Sequence, residues 1–342
     1  MSEADFPEDT NALDAWASRH VEGFAGPSRA TKFATGQSNP TYLIETSNAR
    51  YVLRRKPLGK LLKSAHMVER EFRVLKALES QGFPVPPALA LCEDESVAGA
   101  VFYLMGHVEG RIFWDPGMAE SNAVERAAVY DQMNVTLVRM QNIDLAAAGL
   151  ADFGKPGNYF QRQWQRWSEQ YRASETGEIA DMNRLIDWLG ANIPPDDGRV
   201  SLVHGDYRID NMIFDLREPR LLALLDWELS TLGHPFADLA YQCMQWRLPN
   251  LGDFRGLGGL DRQALGIPTE AEYVARYCER MGLSEVANWK FLIAFSFFRV
   301  AAIVQGVYKR ALEGNASNPE RGLKIGAAVP MMSKMAMQEV EG

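Results

Sequence analysis

From about Arg29 to Arg55 short runs of β-branched, aromatic and aliphatic residues are separated by polar stretches, a β pattern. The stretches 31–35, 41–46 and 51–54 read as strands, and Ser47-Asn48 marks a hairpin turn between the second and third. From His66 the pattern is helical: Val68, Phe72, Leu75 and Leu78 fall on one face of a helix running to Glu79. Pro84, Pro86 and Pro87 close that segment, and 88–91 and 101–105 are two further runs of strand length. A short helix at 13–24 precedes them. After Gly106 and Gly110 the pattern is helical at 119–142, 158–173, 179–191, 235–246, 270–281 and 284–313, with one β-type interruption at 200–226. This order predicts an α+β chain of two lobes. The first, 1–105, holds a five-stranded antiparallel sheet plus a helix; the second, 106–342, is mostly helical and carries a small β insert. The space between two such lobes is the default place for a ligand.

Composition changes this picture little. The chain has 342 residues, 46% hydrophobic and 23% charged, as an ordinary globular protein does. Its net charge of −8 argues against nucleic acid or an anionic membrane as the main partner. An anionic ligand then needs local positive charge, and Arg54, Arg55, Lys56, Lys60 and Lys63 supply a cluster of it. Cys92, Cys243 and Cys278 are scattered, without metal-ligand spacing, and imply a reducing, cytoplasmic compartment. The N-terminus is polar and acidic, without an apolar signal segment. The apolar run 291–308 has membrane-span length but contains Ser296, Arg299 and Gln305, so it reads as a buried helix of the second lobe.

The chemistry is concentrated in one loop. Leu202-Val203 runs into His204-Gly205-Asp206-Tyr207-Arg208-Ile209-Asp210-Asn211, and a second apolar run, 221–225, ends at Asp226. Two strand ends that deliver a carboxylate and an amide to polar loops suit divalent metal and phosphate, hence phosphoryl transfer. In that chemistry Asp206 accepts the proton of an attacking hydroxyl. Asn211 and Asp226 offer hard oxygens to Mg²⁺, Arg208 faces the transferring phosphoryl group, and His204 braces the loop. Taken singly, each of these is also an ordinary turn or cap residue; the set and its spacing carry the reading.

Three further positions bear on it. Glu71 lies three residues after Val68 and four before Leu75, on the apolar face of its helix, where a carboxylate needs a cation. Arg54, at the end of its strand, is the natural partner and a contact for the α- and β-phosphates. Lys63 or Arg70 are alternative partners for Glu71, and Lys56 is a rival for the phosphates because it shares a strand face with Arg54. The turn Gly36-Gln37-Ser38-Asn39 presents backbone amides suited to phosphate, a weak signal with a single glycine. Asp238 is either a helix cap or a buried brace beneath the loop. Trp164, Trp167 and Tyr171 have helical spacing and serve either the core or an acceptor pocket; Arg111, Phe113 and Trp114 are similarly ambiguous.

His204-Gly205-Asp206 followed by Asn211 resembles the H-G-D-x-x-x-x-N loop of the aminoglycoside phosphotransferase family, and Leu225-Asp226-Trp227-Glu228 resembles its metal-binding motif. The likeness covers roughly 30–310 and implies the protein-kinase-like fold. It implies ATP and Mg²⁺ as cofactors, Asp206 as base, Asn211 and Asp226 as metal ligands, and adenine bound along 103–106, which brings in Tyr103 and Met105. It also implies a nucleotide-binding role for 1–105 and a catalytic and substrate role for 106–342. More narrowly, Gly36-Gln37-Ser38-Asn39-Pro40-Thr41, Tyr51-Val52-Leu53-Arg54-Arg55-Lys56-Pro57 and Phe102-Tyr103-Leu104-Met105 are similar to the subgroup fused to, or encoded beside, acyl-CoA dehydrogenases. That subgroup implies a hydroxy acid or hydroxyacyl-CoA as acceptor and an acyl-CoA dehydrogenase as partner. Arg54 departs from the usual Lys, keeping the charge but spreading it over a planar fork. The alternatives are an aminoglycoside, choline-like or sugar kinase and, outside enzymes, a nucleotide-binding pseudokinase or a dehydrogenase partner protein. Loss of Asp206, Asn211 or Asp226 would mark a pseudokinase, and all three are present.

Overall fold

The computed structural model describes residues 9–33, 39–58, 66–251, 254–314 and 318–342, with backbone alone at Leu251 and Phe254. In chain order it begins with α1 (Asn11–His20), β1 (Arg29–Lys32), β2 (Thr41–Glu45), β3 (Arg50–Arg55), α2 (Val68–Ser80), β4 (Ala88–Cys92), α3 (Glu95–Ala98) and β5 (Phe102–Gly106). Then come α4 (Ala123–Gln141), α5 (Tyr159–Ser174), α6 (Ala180–Ala191), β6 (Ser201–Val203), β7 (Met212–Phe214), β8 (Leu221–Leu224), β9 (Thr231–Gly233) and α7 (Phe236–Met244). The chain closes with β10 (Asn250–Leu251), β11 (Phe254–Arg255), α8 (Arg262–Leu265), α9 (Glu270–Met281), α10 (Trp289–Leu312), α11 (Pro319–Gly326) and α12 (Val329–Glu341). These elements form two compact units: Met1–Arg111, Ala146–Leu150 and Met212–Ser230 in one, the remainder in the other.

The first unit is built on an antiparallel sheet of order β1-β2-β3-β5-β4. Side chains alternate across it. Tyr42, Ile44, Leu53, Phe102 and Leu104 join Leu13 and Trp16 of α1 in one core, with Trp16 edge-on to Phe102 at 5.0 Å. Intervening residues face α2, where Phe72 meets Tyr103 at 5.9 Å. Arg54 and Tyr103 are register partners in β3 and β5. They therefore stand side by side beneath α2, and that register positions the chemistry of this unit. The β segment expected at 200–226 divides: the hairpin β7–β8 belongs to the sheet unit, where Leu224 donates its N–H to Pro84 O at 2.9 Å and Trp227 packs on Phe83. Asp226 therefore lies in the same unit as Arg54.

The second unit is helical, with the small β6–β9 pair supporting the loop that follows Val203. Helix α10 is its central element: 78% of the apolar window is buried, and α5, α7 and α12 pack against it. Ser296 Oγ donates to Leu292 O, and Gln305 Nε2 donates to Ser174 O, so two of its three polar intrusions are satisfied internally. It starts at Trp289, later than the expected 284, because Asn288 adopts a left-handed conformation (φ 58) that breaks the helix. Helices α11 and α12 lie beyond the segments read from the sequence; Val329, Met332 and Ala336 of α12 are buried. All three cysteines are buried and free.

Candidate active site

In the sheet unit one guanidinium faces three carboxylates. Arg54 Nε lies 2.7 Å from Glu71 Oε2; its second terminal nitrogen lies 2.6 Å from Asp226 Oδ1 and 3.4 Å from Glu228 Oε2. The partner of Glu71 is thus Arg54, while Lys56 turns to Glu69 and Arg55 crosses to the other sheet face, donating to Ala98 O at 2.7 Å. Burial alone would lower the Arg54 pKa, but Asp226 and Glu71 outweigh it and hold the pKa above its ordinary value. Burial raises the Glu71 pKa above the usual carboxylate range against the pull of Arg54, which it shares with two other acids. Glu71 also accepts from Asn39 Nδ2 at 2.8 Å and from the Tyr103 hydroxyl at 3.2 Å. Asn39 is 1% exposed, and its side chain ties residue 39 to α2. Gly36, Gln37 and Ser38 of the expected turn lie outside the described residues.

Tyr103 enters this cluster through its hydroxyl. Its strand is paired on both edges, with Arg54 opposite Tyr103 on one side and Leu91 on the other, and Met105 between Val52 and Ala88. Asp226 follows β8 with φ 64, a left-handed conformation that side chains rarely adopt. This turns the chain into the 3-10 turn Trp227–Leu229 and aims the carboxylate at Arg54.

In the helical unit the loop after β6 is held from beneath. Asp238, in the first turn of α7, accepts from His204 N at 2.7 Å and from Gly205 N at 2.9 Å. It is the buried brace; the helix cap position belongs to Pro235. His204, fully buried, accepts from Asp206 N through Nδ1 at 3.1 Å. Gly205 has φ 87, so the turn that presents Asp206 requires glycine here. Asp238→Ala would leave two buried amides without acceptors, at roughly 1–3 kcal/mol each. A loss of about 2–6 kcal/mol in urea unfolding is expected, and an unchanged midpoint would contradict the bracing role.

Asp206 itself is 21% exposed and receives three side chains. Tyr241 donates its hydroxyl to Oδ1 at 2.6 Å, Asn211 Nδ2 donates to Oδ2 at 2.9 Å, and Arg208 Nε stands 3.2 Å from Oδ1. Arg208 also pairs with Asp210 at 3.0 Å. Burial would raise the Asp206 pKa, but Arg208, the Tyr241 hydroxyl, His204 and Asn211 outweigh it and hold the group below its ordinary value. The carboxylate is therefore ionised at neutral pH. Its contribution to stability is present above the unfolded pKa, near ~3.9, and is lost as pH falls through the lower folded pKa. Tyr241→Phe removes one bond to the ionised form, so the acid limb of a pH–rate profile should move to higher pH. An unmoved limb would remove Tyr241 from the account.

Tyr241, Glu228 and Arg299 were not singled out as site residues from sequence. Tyr241 had a signal: it lies three residues after Asp238, on the same face of α7. A shallow cavity lined by Asn158, Asp197, Arg199 and His234 contains none of the site residues. Among the described residues no three acidic, histidine or cysteine side chains converge as a metal cage. Magnesium rarely uses one; it takes one or two protein oxygens together with phosphates and water. Within the sheet unit the three carboxylates around Arg54 carry a formal excess of negative charge; within the helical unit Asn211 bonds Asp206 through Nδ2, so its amide oxygen points to other partners.

Residues 29–273 match the family model described as phosphotransferase enzyme family. Mouse acyl-CoA dehydrogenase family member 10 is 51% identical over 86% of this chain, and the matched part is 27% of that protein. The chain thus spans well under half the length of the curated relatives it matches. A crystal structure from Ralstonia eutropha JMP134, provisionally named an aminoglycoside phosphotransferase, is 48% identical with a TM-score of 0.87, covering 98% of both chains. Aminoglycoside phosphotransferase APH(4)-Ia, solved as a thermostable mutant with AMP-PNP and hygromycin B, gives a TM-score of 0.63 at 14% identity, over 97% of this chain and all of the other. The fold is the α+β protein-kinase-like one.

Proposed function

We propose that this chain, which belongs to the phosphotransferase enzyme family, transfers the γ-phosphoryl group of ATP to the hydroxyl of a hydroxy acid or hydroxyacyl-CoA. The observation that carries the reading is Asp206: an ionised carboxylate fixed by Tyr241 and Asn211, on a loop locked by Asp238. Such a group orients a hydroxyl and takes its proton late, as a loose phosphoryl-transfer transition state requires. Arg208, resting on Asp206, adds positive charge where the equatorial phosphoryl oxygens gain negative charge.

Arg54 is the proposed phosphate contact, held in place by Glu71 and, through Glu71, by Tyr103 and Asn39. Asp226 and Asn211 are the proposed Mg²⁺ ligands. When bound, the metal would neutralise charge on the β- and γ-phosphates. Nucleotide binding is assigned to residues 1–105, catalysis and acceptor binding to 106–342. The acyl acceptor draws support from the relative named for an acyl-CoA dehydrogenase, in which a stretch half identical to this chain is part of the same polypeptide. A dehydrogenase is by the same reasoning the proposed partner.

The test is ADP release with Mg²⁺ and ATP across hydroxy acids, hydroxyacyl-CoAs, aminoglycosides, choline and sugars. Turnover of the first two groups is expected. Turnover confined to the others would overturn the acceptor, and ADP release with none of them would count against the reaction.

A further inference from the structure

Among the described residues of the helical unit, Arg299 is a buried cation with neither an ion pair nor a hydrogen-bonded carbonyl. Arg299, in the middle of α10, is 6% exposed. Its Nε has no hydrogen-bond partner, and among the described residues its guanidinium makes no ion pair. It lies over two rings instead, 5.8 Å from the Trp167 centroid and 5.6 Å from that of Tyr241. The carboxylate it acts on at longer range is Asp238, both of whose oxygens are already taken by the amides of His204 and Gly205. A buried guanidinium without an anion is costly, and two ring faces offset that cost only in part.

A second arginine stands beside it. Arg166, exposed on α5, lies 5.1 Å from the same Trp167 ring. Both cations thus lie within about 6 Å of one ring centroid, and burial and then the like charge of Arg299 lower the Arg166 pKa. Trp167 is 4% exposed and donates its Nε1–H to Gln163 at 3.0 Å, so the ring that both cations approach is held in place. Tyr241, the ring beneath Arg299, is the residue that donates to Asp206 at 2.6 Å. The cationic pair is thus one aromatic ring away from the group that meets the acceptor hydroxyl.

We propose that Arg299 and Arg166 form an anion site for the acceptor, binding a carboxylate or phosphate carried by the molecule whose hydroxyl is phosphorylated. The inference rests on the kinase reading and narrows its substrate class to anionic hydroxy compounds. Guanidinium forks match carboxylate and phosphate oxygens, whereas a polycationic sugar would meet two like charges beside the base. Both arginines are binding residues; the tyrosine between Arg299 and Asp206 fixes the spacing of anion and hydroxyl.

The experiment compares the full chain with Arg166→Gln and Arg299→Gln. Binding of coenzyme A, 3-hydroxybutyrate, 3-hydroxybutyryl-CoA and the neutral N-acetylcysteamine thioester is followed by calorimetry and by Trp167 fluorescence. Each variant should weaken at least one anionic probe about tenfold or more and the neutral thioester less than about twofold. Loss for 3-hydroxybutyrate points to a carboxylate, and loss for coenzyme A points to its phosphates. Arg166 is exposed, so its variant decides the matter if Arg299→Gln does not fold. Where an acceptor is turned over, KM for it should rise while KM for ATP stays constant. Binding of all anionic probes unchanged in both variants, no anion binding by the wild type, or equal loss for neutral and anionic probes would overturn the proposal. Failure of the kinase reading looks different: anions bind and the arginines matter, but no probe is phosphorylated.

Discussion

Asp206→Asn is expected to lower kcat by about 10²–10⁴-fold, the range for removal of a positioned general base. The amide keeps the size of the carboxylate, and Tyr241 can still donate to its oxygen. The loop should stay folded, because Asp238 holds it through His204 and Gly205, and those bonds do not involve the Asp206 side chain. The loss should therefore appear in kcat, with little change in nucleotide affinity or melting temperature. A variant that melts many degrees lower would instead give Asp206 a structural role.

The second large effect belongs to Asp226. Asp226→Asn removes a charge that Arg54 faces at 2.6 Å and weakens a proposed metal ligand. Charge stabilisation by a bound metal is worth several kcal/mol, so a fall in kcat of about 100-fold or more is expected, with a raised Mg²⁺ requirement. Magnesium titration of the rate and calorimetry of AMP-PNP binding check it. Arg54 retains Glu71 and Glu228, so the fold should tolerate the change. An unaltered magnesium dependence would remove Asp226 from the metal site.

The contrast between these two positions shows what the sequence made legible. The apolar face of α2 made Arg54 the expected partner of Glu71, with Lys63 and Arg70 as alternatives, since a carboxylate beside Val68 and Leu75 must find a cation. The strands followed from their β-type runs and the main helices from their period. Glu228 was hidden because its contact with Arg54 depends on the left-handed turn at Asp226, a conformation that sequence pattern does not announce for a non-glycine residue. Tyr241 was hidden because a tyrosine among Leu239, Ala240 and Cys243 looks like core, and only its hydroxyl reaches the site. Arg299 was visible as a charge in an apolar helix, but its meaning depends on α5 bringing Trp167 and Arg166 beside it.

The central claim is that Asp206 directs a phosphoryl group from ATP onto an acceptor hydroxyl. The most direct measurement is phosphorus NMR with mass spectrometry of 3-hydroxybutyryl-CoA and related hydroxyacyl-CoAs after incubation with Mg²⁺, ATP and either the wild type or Asp206→Asn. A phosphate monoester on the hydroxyl is expected with the wild type and almost none with the variant in the same time. Equal product from both proteins, or ATP consumed with no phosphate on any acceptor hydroxyl, would contradict the claim.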